Sequence, residues 1–253
     1  MTRPIGAPCW LDLGTADADR AREFYGGLFG WTAGEPSPEF GGYFMFLRDG
    51  VPVAGAMQVV PGMPGGDGPD AWNVYLSAAD AKATIEKGLA RGGKLIEGPM
   101  DIADMGVQAI LTDSVGARVG AWQAGTFAGS AVFGEPGTPY YFELITRDYT
   151  AAVGYYTDVF GWRAEVGSDT DDFKLTILKD GAEVIAGIMD GAGFLPPEEG
   201  AAWNAYFKVP DTDAALAKAT SLGGTVISPA YDTPYGRLAA VADPTGARFK
   251  LAG

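Results

Sequence analysis

The residues best suited to chemistry form two similar sets, one in each half of the chain. Each set has an aromatic residue two positions before a carboxylate, an asparagine two positions before a tyrosine, and a later arginine. A carboxylate can act as a base, a tyrosine hydroxyl can donate a hydrogen bond, and an arginine can bind an anion. The candidate ligand-binding residues are Trp10, Asp12, Asn73, Tyr75 and Arg118 in the first half, and Tyr141, Glu143, Asn204, Tyr206, Arg248 and Lys250 in the second.

Strand alternation predicts that each set shares one face of a sheet. Successive side chains of a strand point to opposite faces, so Leu11 and Leu13 face away from Trp10 and Asp12. The same rule assigns Val119, Phe249 and Leu251 to the core.

Two interpretations of these faces stay open. The carboxylates and arginines could form the ion pairs Asp12–Arg118 and Glu143–Arg248, filling a cleft that has no ligand. Alternatively, each face is a polar pocket with aromatic walls that binds a small organic molecule, and this is the interpretation that we favour. Lys250 adds a cation to the second cleft, which would therefore prefer an anion or a carbonyl, whereas the first would better tolerate a cation.

The two sets lie in two copies of one sequence. PCWLDLGTADADRAREFYGGLFGW at 8–31 aligns with PYYFELITRDYTAAVGYYTDVFGW at 139–162, AWNVY at 71–75 with AWNAY at 202–206, and DSVGAR at 113–118 with DPTGAR at 243–248. Three collinear blocks across the chain indicate two copies of one domain, and two copies of this length are too few and too long for a solenoid. We therefore predict two domains, at residues 1–127 and 137–253, joined by a linker at 128–136.

A finer repeat divides each domain into two modules. An acidic residue follows a predicted first strand and precedes a helical pattern, which is the position of a helix N-cap. Gly92-Gly93 and Gly223-Gly224 suit the ends of the second and fourth helices. Strand-like segments ending in Asp-Gly turns follow, so each module is predicted as β-α-β-β-β, with links at 61–70 and 191–200. The predicted N-caps are Asp17, Asp80, Asp148 and Asp211.

Composition limits the function. The net charge of −14 would repel a phosphate backbone, so we expect no nucleic-acid partner. The chain has no histidine, which excludes Ser-His-Asp and Cys-His catalysis, and the single Cys9 is predicted to be a buried, inert thiol. No apolar run reaches membrane-spanning length and no signal sequence is recognisable, so we expect a cytoplasmic protein without a membrane partner.

The phrases FYGGLFGW, YYTDVFGW and DPTGARFKL resemble the vicinal oxygen chelate superfamily, which includes glyoxalase I, extradiol dioxygenases and bleomycin-resistance proteins. The resemblance covers nearly the whole chain. It implies an α+β fold of two tandem domains, each a pair of β-α-β-β-β modules whose curved mixed sheets enclose a cleft. In enzymatic members the cleft holds a divalent metal that chelates vicinal oxygens of the substrate.

The metal-ligand positions that the resemblance implies carry unsuitable residues here. In the family, His, Gln or Glu on the first and last strands of each module bind the metal. We therefore predict no metal ion and no cofactor. The corresponding positions are Trp10, Met57 or Gln58, Asn73 and Gly120 in the first domain, and Tyr141, Met189 or Asp190, Asn204 and Lys250 in the second.

Three functions remain possible. A metal-independent protein that binds a small organic molecule, comparable to the bleomycin-resistance members, is the interpretation that we favour. An enzyme of the same superfamily would be a lyase, isomerase or hydroxylase acting on a small carbonyl or aromatic compound, with Asp12 or Glu143 as base. A purely structural role would leave both clefts without a ligand. Because the chain already has four modules, we expect a monomer or a weak homodimer.

Two further expectations concern loops and tryptophans. The segments 100–106 and 231–236 could be lids over the clefts or ordinary hairpin loops, and Tyr235 is included as a ligand contact. Trp72 and Trp203 are expected to pack on the prolines of the links, and Trp31 and Trp162 to pack in the core.

Overall fold

A computed structural model describes residues 3–63 and 69–253 of the chain. Residues 64–68 of the predicted link at 61–70, and the first two residues of the predicted first domain, lie outside the described part.

The first half contains two β-α-β-β-β modules, as the sequence predicts. The first module consists of β1 (Pro8–Thr15), α1 (Ala18–Phe29), β2 (Thr32–Ala33), β3 (Phe44–Arg48) and β4 (Val51–Gln58). The second consists of β5 (Ala71–Ser77), α2 (Ala81–Ala90), β6 (Lys94–Ile102), β7 (Gly106–Thr112) and β8 (Arg118–Ala124).

The second half repeats this order. Its first module consists of β9 (Pro139–Thr146), α3 (Tyr149–Phe160), β10 (Glu165–Asp169), β11 (Lys174–Asp180) and β12 (Glu183–Asp190). Its second module consists of β13 (Ala202–Lys208), α4 (Thr212–Ser221), β14 (Thr225–Thr233), β15 (Gly236–Ala242) and β16 (Arg248–Ala252).

Each half forms one eight-stranded mixed sheet. The strand order is β2-β3-β4-β1-β5-β8-β7-β6 in the first half and β10-β11-β12-β9-β13-β16-β15-β14 in the second. In each module the first strand pairs in parallel with the last strand where the register is known, as in β1 with β4 and β13 with β16. The predicted α+β class and the two similar halves are confirmed.

All four helices begin at the predicted aspartates. The side chains of Asp17, Asp80, Asp148 and Asp211 accept hydrogen bonds from backbone N–H groups in the first turns of α1, α2, α3 and α4. These bonds satisfy amides that have no partner inside the helix. The prediction could be made locally, because a cap depends only on residues three positions apart.

Glycines end the second and fourth helices, also as predicted. Gly92 and Gly223 have φ values of +88° and +93°, which lie in the left-handed region. The next residues, Gly93 and Gly224, donate their backbone N–H groups to the carbonyls of Gly88 and Ala219 at 2.9 Å. This arrangement closes the helix end and requires glycine at the left-handed residue.

The chain divides into two compact units that do not follow the sequence repeat. One unit contains residues 1–9, 74–129 and 142–204, and the other contains 10–73, 130–141 and 205–253. Each unit therefore combines one module from each half. The predicted domain boundaries at 127 and 137 stay a prediction.

A buried tyrosine network lies in the core of the second of these units. The Tyr25 hydroxyl of α1 donates to Asp243 Oδ2 at 2.9 Å and accepts from Trp72 Nε1 at 3.0 Å. Asp243 Oδ1 in turn accepts three backbone N–H groups of the turn before β16. Burial raises the pKa of Tyr25 well above its usual value, and the Asp243 carboxylate adds to the effect. We call Tyr25, Trp72 and Asp243 the Tyr25 network.

The other unit contains the equivalent Tyr156 network. Tyr156 donates to Asp113 Oδ2 at 2.9 Å and accepts from Trp203 Nε1 at 2.7 Å. Burial raises the pKa of Asp113. Burial also raises the pKa of Tyr156 well above its usual value. The expectation that Trp72 and Trp203 pack on link prolines is wrong, because both rings lie in these aromatic cores.

Trp31 and Trp162 are buried, at 4% and 3% exposed, as predicted for packing residues. The buried Cys9 donates its Sγ–H to the carbonyl of Tyr75. Within the described ranges, none of the helices has the length and apolar character needed to cross a membrane.

Candidate functional site

Two neighbouring strands of the second sheet bring a lysine and a tyrosine together. Tyr206 of β13 lies opposite Lys250 of β16 in parallel register. Lys250 Nζ donates a hydrogen bond to the Tyr206 hydroxyl at 2.6 Å and lies 4.7 Å from the centre of its ring. The alternate residues Phe207 and Phe249 pack against Phe29 of α1, so Tyr206 and Lys250 point to the face away from that helix.

Two more tyrosines extend this face. The ring centre of Tyr141 lies 5.2 Å from that of Tyr206, and the ring centre of Tyr140 lies 6.4 Å from it. Both pairs of rings have edge-to-face geometry. Lys208 Nζ lies 5.4 Å from the Tyr140 ring centre. Tyr206 is 4% exposed, whereas both neighbouring tyrosines are only partly buried. We call Tyr140, Tyr141, Tyr206, Lys208 and Lys250 the tyrosine–lysine cluster, and all five residues lie in one compact unit.

The equivalent position in the first sheet is closed by an aromatic ring. Tyr75 of β5 lies opposite Gly120 of β8, as Tyr206 lies opposite Lys250. A Cβ atom at Gly120 would lie 2.1 Å from Tyr75 Cδ1, so the ring occupies the space above the glycine. Arg118, two residues earlier, has a buried Nε that finds no hydrogen-bond partner among the described residues.

A polar triad covers another part of the first sheet. Trp10 Nε1 donates to Asp12 Oδ1 at 2.7 Å and contacts the Tyr43 hydroxyl at 2.9 Å. The Tyr43 hydroxyl donates to the same carboxylate oxygen at 2.7 Å. Gly55 lies opposite Asp12 on β4, and a Cβ there would overlap the Tyr43 hydroxyl and Asp12 Oδ1. We call Trp10, Asp12 and Tyr43 the Trp10 triad.

The other predicted site residues lie on β5, β8, β9, β13 and β16, apart from Tyr235. Glu143 is 5% exposed on β9, opposite Gly187, and its backbone carbonyl accepts a hydrogen bond from Asn204 Nδ2 at 3.4 Å. Asn73 is partly buried on β5, and Arg248 is exposed at the start of β16.

Tyr235 does not lie in a long loop. It is 65% exposed, in the tight turn between β14 and β15. A short connection also joins β6 to β7, so both segments considered as lids are hairpin connections.

Three residues near these faces were absent from the predicted set: Tyr43, Tyr140 and Lys208. Lys208 follows Tyr206 by two positions, so strand alternation could have identified it. Tyr140 directly precedes Tyr141 on β9, so strand alternation predicts that its side chain points to the opposite face. For this reason it was not among the predicted site residues. Tyr43 precedes β3 and forms an isolated bridge with Ser37, so no strand pattern marked it.

The donor groups at these positions do not fit a divalent metal. At Lys250 the ammonium is a hydrogen-bond donor to Tyr206, and at Gly120 the available space is filled by the Tyr75 ring. A lysine ammonium has no lone pair to offer a cation. Among the residues that the structure describes, no group of three or more His, Cys, Asp or Glu side chains could hold a metal ion.

A cavity of about 150 Å³ lies away from all these residues. It is found beside the N-terminus of α2, between Ile5, Asp80, Lys87 and Phe160. The Asp80 carboxylate already caps the helix there. Its lining contains no residue of the tyrosine–lysine cluster and none of the Trp10 triad.

Comparison with known proteins identifies the family. The family model "Glyoxalase/Bleomycin resistance protein/Dioxygenase superfamily" matches residues 139–251. "Putative glyoxylase CFP32" of Mycobacterium tuberculosis is 37% identical to this chain. The alignment covers 97% of this chain and 94% of the relative. "Anthracycline biosynthesis protein DnrV" of Streptomyces peucetius is 36% identical over 99% of the chain and 94% of the relative.

Solved structures show the same fold at low identity. The Mn(II)-bound glyoxalase from Novosphingobium aromaticivorans has a TM-score of 0.65 at 16% identity, covering 99% of this chain and 83% of that one. The 2,3-dioxygenase LapB from Pseudomonas sp. KL28 also has a TM-score of 0.65, at 12% identity. This match covers 100% of this chain and 93% of LapB. At such identities the likeness extends to the fold alone.

Proposed function

We propose that this chain, which belongs to the glyoxalase/bleomycin resistance protein/dioxygenase superfamily, binds a small organic molecule without a metal ion. The ligand lies against the tyrosine–lysine cluster of the second sheet. Tyr141 and Tyr206 supply an aromatic wall, and Lys250 supplies a hydrogen-bond donor.

One observation carries this proposal. At a position where the family resemblance places a metal ligand, Lys250 donates a 2.6 Å hydrogen bond to Tyr206. A fixed ammonium beside a phenol can bind an oxygen atom of a ligand, which is what a metal ion does in the enzymatic members. The lysine thus supports binding by hydrogen bonds and charge in place of coordination.

The aromatic character of the cluster supports an aromatic ligand. Tyrosine rings at 5.2 and 6.4 Å from Tyr206 form an apolar wall with polar edges, a common anatomy of small-molecule sites. Two relatives are named anthracycline biosynthesis proteins, and their names connect them with an aromatic class of molecule. The names of these two relatives support an aromatic ligand by similarity.

The test is a binding screen under metal-free conditions. The protein is dialysed against a chelator and then titrated calorimetrically with two- to four-ring aromatic compounds, both neutral and charged. We expect a one-to-one complex with at least one compound, and loss of that complex in Tyr206→Leu. Phe194→Leu, which changes an exposed aromatic residue outside the predicted site, is the control and should bind normally.

Two results would contradict the proposal. In the first, none of the compounds binds to the chelator-treated protein. In the second, binding appears only after a stoichiometric amount of manganese, zinc or nickel is restored.

A second candidate function is an enzyme, a lyase, isomerase or hydroxylase acting on a small carbonyl or aromatic compound. The observation that favours it is the burial of Glu143, because a carboxylate removed from water is a common general base. Mass spectrometry of each bound compound after incubation distinguishes the two functions. Conversion that is lost in Glu143→Gln supports the enzyme, and recovery of the unchanged compound supports the binding protein.

A further inference from the structure

Arg118 of β8 carries a charge that no other described residue compensates by direct contact. Its Nε–H group is buried, yet it has no acceptor among the described residues. None of the hydrogen bonds and ion pairs within the described part of the chain includes its guanidinium. Acidic side chains outnumber basic ones by 32 to 18 in this protein, so an arginine without a carboxylate partner is unexpected.

The carboxylate nearest to Arg118 in the sequence already has other donors. Asp113 lies in the turn before β8, where its Oδ1 accepts the backbone N–H groups of Val115 and Ala117 at 3.0 and 2.8 Å. Its Oδ2 accepts the Tyr156 hydroxyl at 2.9 Å. Both oxygens of Asp113 therefore stabilise the turn and the Tyr156 network, and neither bonds to Arg118.

Strand pairing places Arg118 on the face of the first sheet that points away from α2. Leu111 lies opposite Val119 in the antiparallel pair of β7 and β8. A Cβ atom at Gly88 of α2 would lie 2.8 Å from Leu111 Cδ2, so Leu111 and Val119 face this helix. Because successive side chains of a strand alternate, Arg118 and Gly120 face the other side.

The neighbours of Arg118 on this face solvate a cation poorly. The Tyr75 ring lies over Gly120, which is two residues or about 7 Å along the strand. Ile110 stands opposite Gly120 and is 4% exposed, and Thr112 stands opposite Arg118 and is partly buried. The Arg118 side chain itself is partly buried, so part of it is accessible to a small molecule.

An oxyanion is the chemical group that completes this arrangement. A buried N–H group without an acceptor is rare in native proteins, because its lost hydration is not replaced. Carboxylates and phosphates can accept from two N–H groups of one guanidinium at once, which adds charge to the hydrogen bonds. A cationic group would be repelled by Arg118, and a neutral amide oxygen would leave the charge uncompensated.

The second half does not repeat the arrangement. The equivalent residue, Arg248, is exposed at the start of β16, and Lys250 replaces the glycine two positions later. A preference for an anion also differs from the tolerance for a cation that the sequence suggests for the first sheet. That expectation came from composition, which does not show whether Arg118 has a partner.

We infer that Arg118 is an anion-binding residue, and that the first sheet binds the carboxylate or phosphate group of a small molecule at this guanidinium. The inference goes beyond the proposed function, because the tyrosine–lysine cluster lies on the second sheet. Arg118 supplies the Nε–H donor and the positive charge.

The experiment follows the Nε–H resonance of Arg118 by nuclear magnetic resonance. The full-length protein, with isotope-labelled arginine, is titrated at constant ionic strength with acetate, methyl phosphate and the neutral acetamide. Arg118→Met identifies the resonance by its absence. We expect a saturable shift of this resonance with acetate or methyl phosphate and none with acetamide. The anion that saturates at the lower concentration distinguishes a carboxylate site from a phosphate site.

Variants provide a second measurement, the rise of the thermal midpoint with anion concentration, which reports binding to the folded protein. Arg118→Lys keeps the charge without the two-pronged donor and should weaken binding about 10-fold or more. Arg118→Met should abolish the rise. Arg91 is exposed and pairs with Asp158 at 2.9 Å, so Arg91→Met removes the same charge elsewhere and should bind normally.

Three results would overturn the inference. In the first, neither anion shifts the Arg118 resonance, so that a water molecule is the acceptor of its Nε–H group. In the second, acetamide shifts the resonance as much as the anions do. In the third, Arg91→Met weakens binding as much as Arg118→Lys, which assigns the effect to net charge. If Arg118→Met does not fold, the wild-type titration and Arg118→Lys still decide.

Discussion

Tyr75 and Tyr206 occupy the same position in the two sheets, yet the residue opposite them differs. Gly120 allows the Tyr75 ring to lie directly on the neighbouring strand, whereas Lys250 meets the Tyr206 hydroxyl with an ammonium. Both tyrosines are 4% exposed, so burial does not distinguish them. One difference between the repeats therefore replaces a packing contact with a polar contact.

The first sheet also carries a different polar group. In the Trp10 triad an indole N–H and a phenol O–H both bond to one carboxylate oxygen of Asp12, above Gly55. This arrangement contains a carboxylate, and the Tyr43 side chain occupies the space above Gly55. The second sheet also has a carboxylate at the position of Asp12, the buried Glu143 opposite Gly187, so the two sheets differ at Gly120 and Lys250 and not in the presence of this carboxylate.

The largest expected effect comes from closing the space above Gly120. Gly120→Ala places a Cβ at 2.1 Å from the Tyr75 ring, so the ring must move out of a buried position. We expect a loss of about 2–3 kcal/mol in the free energy of unfolding. Lys250→Ala, the matched change in the second sheet, should cost about 1.5 kcal/mol, the lower end of the range for a hydrogen bond to a charged group, because this lysine is only partly buried. Denaturant unfolding measures both, and equal losses would show that the two positions are not structurally different.

The two core networks should respond alike, although the two faces differ. Tyr25→Phe leaves Asp243 and Trp72 without their hydroxyl partner, and Tyr156→Phe does the same to Asp113 and Trp203. Each change should lower the free energy of unfolding by about 1–3 kcal/mol, because buried polar groups lose a hydrogen bond. Tyr235→Phe, at an exposed site, should have no effect. A loss in only one of the two networks would break the symmetry that the structure shows.

The smallest expected effect is a gain in stability at Tyr155. Its hydroxyl is buried without a hydrogen-bond partner among the described residues, and the first repeat has Phe24 at this position. Tyr155→Phe should therefore raise the free energy of unfolding by up to about 1 kcal/mol at neutral pH. A clear loss of stability would indicate that the hydroxyl has a favourable role.

The same variant should change the response to alkali. Burial raises the pKa of Tyr155, Tyr25 and Tyr156. Because the folded pKa exceeds the unfolded value of about 10, stability is fully present below that pH and falls as the pH rises above it. Each group adds a slope of about 1.4 kcal/mol per pH unit above pH 10. Tyr155→Phe should have a shallower slope than the wild type.

The sequence predicts local features of this protein better than long-range contacts. The helix caps at Asp17 and its counterparts depend on neighbouring residues, and the module order depends on repeated short patterns. The Tyr25–Asp243 bond joins residues 218 positions apart, and the error over Trp72 and Trp203 arose from the same lack of long-range information. For the site, alternation predicts the face of Tyr206 and Lys250, but neither Tyr43 nor Tyr140 follows from a strand pattern.

The central claim is that the tyrosine–lysine cluster binds an aromatic ligand without a metal ion. The most direct measurement is calorimetric titration of chelator-treated protein with 2-naphthoate, repeated after addition of one equivalent of manganese, zinc or nickel. We predict the same dissociation constant in every case and loss of binding in Tyr206→Leu. Binding that requires the added metal, or that persists unchanged in Tyr206→Leu, would contradict the account.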